Sequence, residues 1–241
     1  MRIEARHLVK NFGSRRVLRG LDLVVNPGEI VALIGMNGAG KTTLMRILST
    51  LSNPDAGRLL LNGIPVRENA VEVRRQIGAV LHAPMLYSNL TAAENLRFYC
   101  KLFDLKDADE RIRASLETVN LAARGSDLVR TYSRGMQQRL AIARALIHQP
   151  RVLFMDEPYT GLDQASAERL DELIHKFAQN GGAVLLATHD LERIFQAATR
   201  VDILHQGRIA LSTPVNEETL DQLTEKYRHA TSATVPAGAR A

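Results

Sequence analysis

Short apolar runs recur along the chain: "VLRGLDLVV" from Val17, "EIVALIG" from Glu29, "RVLFMD" from Arg151, "GAVLLATHD" from Gly182 and "RVDILHQGRIAL" from Arg200. Runs this short and this rich in β-branched residues predict strands, and helix-length segments separate every run after the first. That alternation predicts an α/β fold. Between Thr91 and Ala123 the pattern becomes purely helical. "TAAENLRFYCKLF" opens with Thr91 and Glu94 at capping-box spacing and sets Leu96, Tyr99, Leu102 and Phe103 along one side. The expected organisation is one domain over residues 1–228, with a helical subdomain at about 84–145 inserted in it. From His229 onward "HATSATVPAGARA" is small, polar and punctuated by Pro and Gly, and is expected to be disordered. No internal repeat is evident.

Composition narrows the class. The chain has 241 residues, 45% of them hydrophobic, enough to bury a full core. Its apolar runs are too short to cross a bilayer and the first residues lack the apolar centre of a signal peptide, so a cytoplasmic protein is expected. Cys100 is the single cysteine, which excludes an internal disulfide and a cysteine-based metal cluster, and it reads as core packing. A net charge of +5 suits acidic lipid headgroups, nucleotide phosphates or nucleic acid alike.

The chemistry enters at "GMNGAGKTTL". Gly35, Gly40, Lys41 and Thr42 fit G-x-x-x-x-G-K-[ST] between an apolar strand and the helix-forming "TTLMRILSTL". In such a loop consecutive backbone N–H groups curl around a phosphate, the lysine reaches the terminal oxygens, and the threonine hydroxyl is free for Mg²⁺. The strand "RVLFMDEP" ends in paired carboxylates, and a parallel strand delivers them to the same crevice. Asp156 is thereby a Mg²⁺ ligand, through water, and Glu157 the base that polarises an attacking water, roles taken from the general template for P-loop phosphoryl transfer. His189 ends a third strand, where it either supports the fold or reaches the γ-phosphate. Phe12, in "VKNFGSRRV", suits either the core or the face of an adenine ring.

The stretch "TYSRGMQQRLAIARAL", Thr131 to Leu146, places a serine and a glycine at the start of a helix that also carries Arg139 and Arg144. Ser133 reads as an ordinary N-cap or as part of a second anion site, since free N–H groups and a glycine there suit phosphate.

Taken in order, these pieces resemble the ATP-binding subunit of an ABC transporter over almost the whole chain. Walker A spans Gly35 to Thr42, "YSRGMQQR" stands for the signature, Walker B spans Val152 to Asp156, "GLD" is the D-loop and His189 the switch histidine. The resemblance implies a P-loop NTPase fold of the ABC-ATPase type: a RecA-like core sheet, an antiparallel β subdomain and an inserted α-helical subdomain. It implies ATP and Mg²⁺ as ligands, with catalysis by Glu157, His189 and Lys41. Nucleotide contacts would come from Phe12, Val17, Asn37, Gly38, Ala39, Gly40, Lys41, Thr42 and Thr43. Asp163 is implied as a further nucleotide contact, while Ser133 and Gly135 would meet ATP held by a second subunit. Mg²⁺ would rest on Thr42, Asp156 and the position of His82, where the family usually has glutamine. A neutral imidazole is a poorer partner for a hard ion than an amide oxygen and would reach it through water. The signature departs from the commoner LSGGQ at Tyr132, Arg134 and Met136, while Ser133 and Gly135 remain.

The implied partners are a transmembrane permease subunit, docked on the helical block near Met85, Leu86 and Tyr87, and a second ATPase subunit, identical or related; no nucleic acid is expected. The chain would then sit at the inner face of the cell membrane. "LTAAENLRFY" together with His82 looks like one subgroup, the haem-exporter ATPase of cytochrome c maturation. Drug, lipid and polysaccharide exporters carry similar text, and a soluble scaffold ATPase of the same type is the alternative from another class.

Overall fold

The computed structural model describes residues 1–232 of the chain. It opens with a hairpin, β1 (Ile3–Phe12) and β2 (Arg15–Val25), followed by β3 (Ile30–Ile34), α1 (Lys41–Leu48), β4 (Ala56–Leu61), β5 (Ile64–Pro65), α2 (Ala70–Arg75) and β6 (Ile77–Val80). Three α-helices come next without a strand between them: α3 (Ala92–Leu102), α4 (Ala108–Thr118) and α5 (Arg134–Leu146). The chain then alternates through β7 (Val152–Asp156), α6 (Gln164–Gln179), β8 (Ala183–Ala187), α7 (Leu191–Ala197), β9 (Arg200–His205), β10 (Arg208–Pro214) and α8 (Leu220–Ser232).

The central sheet runs β10-β9-β3-β8-β7-β6, parallel throughout except at the β9–β10 edge. Its inner strands β3, β7 and β8 are buried at every position, which is why they read as unbroken apolar runs: each is covered on both faces. Two hydrophobic clusters carry this cover. One joins β1, β2, β4 and α1; the other joins the helical block to α6. A second, antiparallel sheet runs β2-β1-β4-β5. This is the expected α/β architecture, a core sheet with an antiparallel β part and a helical block.

The strand order decides function. β3, β8 and β7 are neighbours, so the loop after Ile34, the carboxylates at Asp156 and the turn after Ala187 open at one sheet edge.

Four strands escape the sequence pattern, one of them the two-residue β5. β1 is interrupted by register shifts between Ala5 and Leu8, with His7 at a positive φ of 49°, so its period-two alternation breaks. β4 is exposed through its first half, and β6 is four residues long with a glycine inside. In the helical block the capping box forms: Glu94 N–H donates to Thr91 Oγ1 at 3.1 Å, and Thr91 N–H to Glu94 Oε2 at 2.8 Å. Cys100 packs in that core. The face expected of α3 is corrected, however. Leu102 is exposed, and the buried positions are Ala92, Asn95, Leu96 and Cys100. Phe103 lies beyond the helix and stacks on His148.

Two boundaries also shift. α1 ends at Leu48, because Ser49 caps it and Thr50 turns to a φ of 63°. α8 continues through His229 to Ser232, so the expected disorder does not begin at His229; the rest of that tail lies outside the described residues. Among the described residues no helix is long and apolar enough to cross a membrane.

Candidate functional site

The loop from Gly35 to Gly40 leads from β3 into α1, and its conformation is that of an anion cradle. Gly40, the N-cap of α1, has φ +114°, a region that costs a side-chain-bearing residue. No side chain caps this helix and no acidic residue occupies its first turn. Its leading N–H groups and the positive end of its dipole are therefore left for a ligand. Lys41 Nζ donates to the carbonyls of Gly35, at 2.6 Å, and Met36, at 3.3 Å, bent back over the loop. Burial pushes its pKa down, while the charges of Glu157 and Asp156 oppose that shift.

An open cleft of about 450 Å³ lies over this loop. Phe12, Val17, Asn37, Gly38, Gly40, Lys41, Thr42, Thr43, Asp156 and Glu157 line it together. The structure thus gathers most of the expected nucleotide set in one place. It also resolves the two readings of Phe12, whose ring is exposed at the cleft rather than packed in the core. Ala39 is the exception in the loop: its side chain is buried in the hydrophobic cluster, and its N–H closes the turn onto Met36 O at 3.1 Å.

Sequence reasoning missed Arg15. It pairs with Phe12 across the β1–β2 hairpin, lines the same cleft, and brings its guanidinium to Gly38. The signal was the hairpin itself, since two cross-strand partners at a tip face the same way.

Asp156 is almost fully buried at the end of β7. Burial raises its pKa; the neighbouring Thr42 side chain and the charges of Lys41 and His82 act the other way, while Glu157 adds to the rise. Glu157 follows at φ +53°, its N–H held by Ala187 O at 2.7 Å. His189 Nδ1 stands 3.0 Å from both Glu157 oxygens. A smaller cavity of about 110 Å³ beside Asp156 and Glu157 is walled by His82, Pro84, Arg134, Gln137 and Gln138.

Among the described residues no group of three or more His, Cys, Asp or Glu side chains is placed to hold a metal. The Thr42–Asp156 oxygen pair suits Mg²⁺ instead, an ion that keeps waters and completes its shell with substrate phosphates.

Ser133, Gly135 and Asp163 lie outside this cleft. Ser133 caps α5, accepting from Met136 N–H at 3.3 Å, and is exposed. Asp163 caps α6 by accepting from Ser166 N–H at 2.8 Å. Gly135 is fixed by packing: a Cβ there would stand 2.5 Å from the carbonyl oxygen of Gly161. The two arginines that drew attention to α5 do not face phosphate. Arg139 caps the carbonyls of Val119 and Asn120, at 3.2 and 3.0 Å, and Arg144 is buried, donating to Ala79 O at 2.6 Å.

Comparison with known proteins agrees with this geometry. The ABC transporter family profile matches residues 18–160. The chain is 38% identical over 220 residues to the uncharacterized ABC transporter ATP-binding protein YdbJ of Bacillus subtilis, covering 91% of this chain and 70% of that protein. It is 40% identical to the daunorubicin resistance ATP-binding protein DrrA3 of Streptomyces coeruleorubidus, covering 89% and 67%. With the bacitracin transport ATP-binding protein BcrA of Bacillus licheniformis it shares 36% identity, covering 93% and 73%. Among solved structures, an ATP-binding subunit of an ABC transporter superposes with a TM-score of 0.87 at 30% identity, covering 95% of this chain and 100% of that one. The dimeric post-hydrolysis ATP-binding cassette MJ0796, bound to ADP and Pi, superposes at 0.81 with 25% identity, covering 88% and 98%. The chain belongs to the ABC transporter family and is its ATP-hydrolysing, ATP-binding subunit.

Proposed function

We propose that this ABC-type ATPase drives export through a separate membrane-embedded permease, working as a pair of subunits that hold ATP between them. One observation carries the reading: Ser133 and Gly135, at a helix start whose capping serine is exposed, lie outside the chain's own nucleotide cleft. A phosphate gripped by Lys41 of one copy needs a second copy to bring its Ser133 against it. Similar solved structures of the MJ0796 cassette are dimeric, which supports that arrangement.

Within the cleft, Phe12 takes the adenine face and the Gly35–Gly40 loop with Lys41 takes the phosphates. Thr42 and Asp156, with His82 beside them, would hold Mg²⁺, which would supply positive charge to the phosphates. Glu157 takes a proton from the attacking water, and His189, hydrogen-bonded to Glu157 through Nδ1, donates to the γ-phosphate through Nε2 when the ring is an imidazolium. Cleavage removes the charge that bridges the two copies, and the pair reopens.

A groove between the helical block and the core, bordered by Leu51, Met85, Tyr99 and Phe103, is the surface for a permease helix. Tyr87 is exposed beside it, while Met85 and Leu86 are half-buried against the two cores, so they shape the groove rather than project from it. The cargo reading follows the relatives, which are named for daunorubicin resistance, bacitracin transport and Nod factor export. A small-molecule exporter suits all three. Haem export rests on His82 and "LTAAENLRFY" alone, and none of these relatives is named for it.

The test is twofold. Glu157→Gln with Mg²⁺-ATP should run as a dimer by light scattering, and the wild-type chain should move to the membrane fraction only when a cognate permease is co-expressed. A strictly monomeric, permanently soluble chain sinks the proposal. ATPase stimulation by daunorubicin, bacitracin or haem in permease-containing vesicles then separates the cargo readings.

A further inference from the structure

Helix α6 carries one carboxylate shared by two turns of the candidate active site. Asp171 accepts the Tyr159 hydroxyl at Oδ1, 2.6 Å, and Arg193 Nη1 at Oδ2, 3.0 Å. The side chains of Arg193 and Asp171 are 15% and 16% exposed, so this pair is screened far less than a surface one. Arg193 Nη2 also donates to Gln164 Oε1 at 2.6 Å, and the guanidinium lies 5.6 Å from the centre of the Tyr159 ring. Burial and the bond to Asp171 push the Tyr159 phenol up, keeping it a donor.

The position of these residues gives the cluster its meaning. Tyr159 stands two residues past Glu157, and Arg193 four past His189. Among the described residues, the Glu157 and His189 side chains hydrogen-bond only to each other. The His189 side chain is 82% exposed, and α7, which follows it, is seven residues long. The backbone bond from Glu157 N–H to Ala187 O fixes the two strand ends, but beyond them the side chains are joined directly by one exposed contact only. The sixteen-residue helix α6 anchors both turns past that point.

We propose that Tyr159, Asp171 and Arg193 form a positioning cluster that sets the separation of Glu157 and His189, by tying the turn after β7 and the start of α7 to one point on α6. On the opposite side Gln138 of α5 donates to Pro158 O at 2.9 Å, so the Glu157 turn is held from two directions. The cluster touches no reacting atom and acts only through the two residues it places. Its catalytic consequence rests on the roles given to Glu157 and His189 above, whereas its geometric effect does not.

The experiment reads both. The His189 imidazole ¹⁵N resonances are recorded in the nucleotide-free protein, identified with His189→Gln, alongside steady-state ATPase kinetics. Tyr159→Phe, which removes only a hydroxyl, and Arg193→Met should shift the Nδ1 resonance toward its position in Glu157→Gln. kcat should fall about tenfold in Arg193→Met while KM for ATP stays within about twofold, with Arg193→Lys recovering part of the loss. The double variant should be no slower than Arg193→Met, because both changes act through Asp171. An unmoved His189 resonance in both single variants overturns the cluster, whatever the rate. A moved resonance with unchanged kcat upholds the cluster and overturns the catalytic roles of Glu157 and His189 instead.

Discussion

His189 Nδ1 lies 3.0 Å from each carboxylate oxygen of Glu157, joining the ends of two neighbouring parallel strands, β8 and β7. In the mechanism proposed above, this contact pairs a proton carrier with the proton acceptor at the mouth of the phosphate cleft. Glu157→Gln keeps the shape and removes the base. Turnover should fall by about 10² or more while ATP affinity is retained, and Lys41→Ala should show the opposite split, with affinity lost first. Steady-state ATPase rates and nucleotide titration on both variants check this, and full turnover in Glu157→Gln would require another base.

Asp156 is maintained against a stability cost. Its pKa is raised by burial, so the folded chain holds that proton more tightly than the unfolded chain. Stability therefore falls as pH rises from the ordinary carboxylate range through the raised value, and the deficit persists at neutral pH. Asp156→Asn removes the deficit and leaves Glu157, the larger of the two charges acting on Lys41, in place. At pH 7.5 the nucleotide-free variant should melt about 2 °C or more higher than wild type while its Mg²⁺-dependent ATPase disappears. A lower melting temperature in calorimetry would refute this account.

Burial of His148 couples the fold to acid from a different direction. Burial drives its pKa down to about 4; the hydrogen bond to Ile77 O opposes the fall and the Arg144 charge adds to it. Below about pH 6.5 the unfolded chain gains a proton that the folded chain refuses, so stability declines between pH 6.5 and 4, by roughly 3 kcal/mol at the lower end. His148→Gln loses the stack on Phe103 and should be less stable at pH 7, yet its melting temperature should depend less steeply on pH across that window. Parallel slopes for the two proteins would assign acid sensitivity elsewhere.

Gly135 faces two demands, and only one needs a nucleotide. Because a Cβ at this position would meet the Gly161 carbonyl at 2.5 Å, Gly135→Ala should destabilise even the nucleotide-free protein, by about 1–3 kcal/mol. A requirement for phosphate alone would leave that melting temperature unchanged. Differential scanning calorimetry without ligand distinguishes the two.

Much of the site was legible because its chemistry is contiguous. The Gly35–Thr42 loop, the Asp156–Glu157 pair and His189 each follow an apolar run that is buried along its whole length, and a parallel sheet sends all such strand ends to one edge. The capping box at Thr91 and Glu94 was legible for a similar reason: both partners lie within one turn. Residues whose roles depend on distant neighbours were not. Arg139 and Arg144 stood out in the linear sequence on a helix with a candidate anion site, and only packing assigns them to the carbonyls of Val119, Asn120 and Ala79. Arg15 gained its place from a hairpin register, and β1 stayed hidden because its bulge breaks the alternation.

Sequence by itself therefore determined the phosphate loop, the acidic strand end, the helical block and the order in which they occur, since backbone conformation and local hydrogen bonding are written over a few residues. Tertiary structure alone decided that Phe12 faces the cleft, that Gly135 must yield space to Gly161, and that Asp171 joins Tyr159 to Arg193. Those are contacts between segments 12 or more residues apart. No periodicity encodes such meetings; they exist only once the sheet has brought its strand ends together and the helices have closed over them.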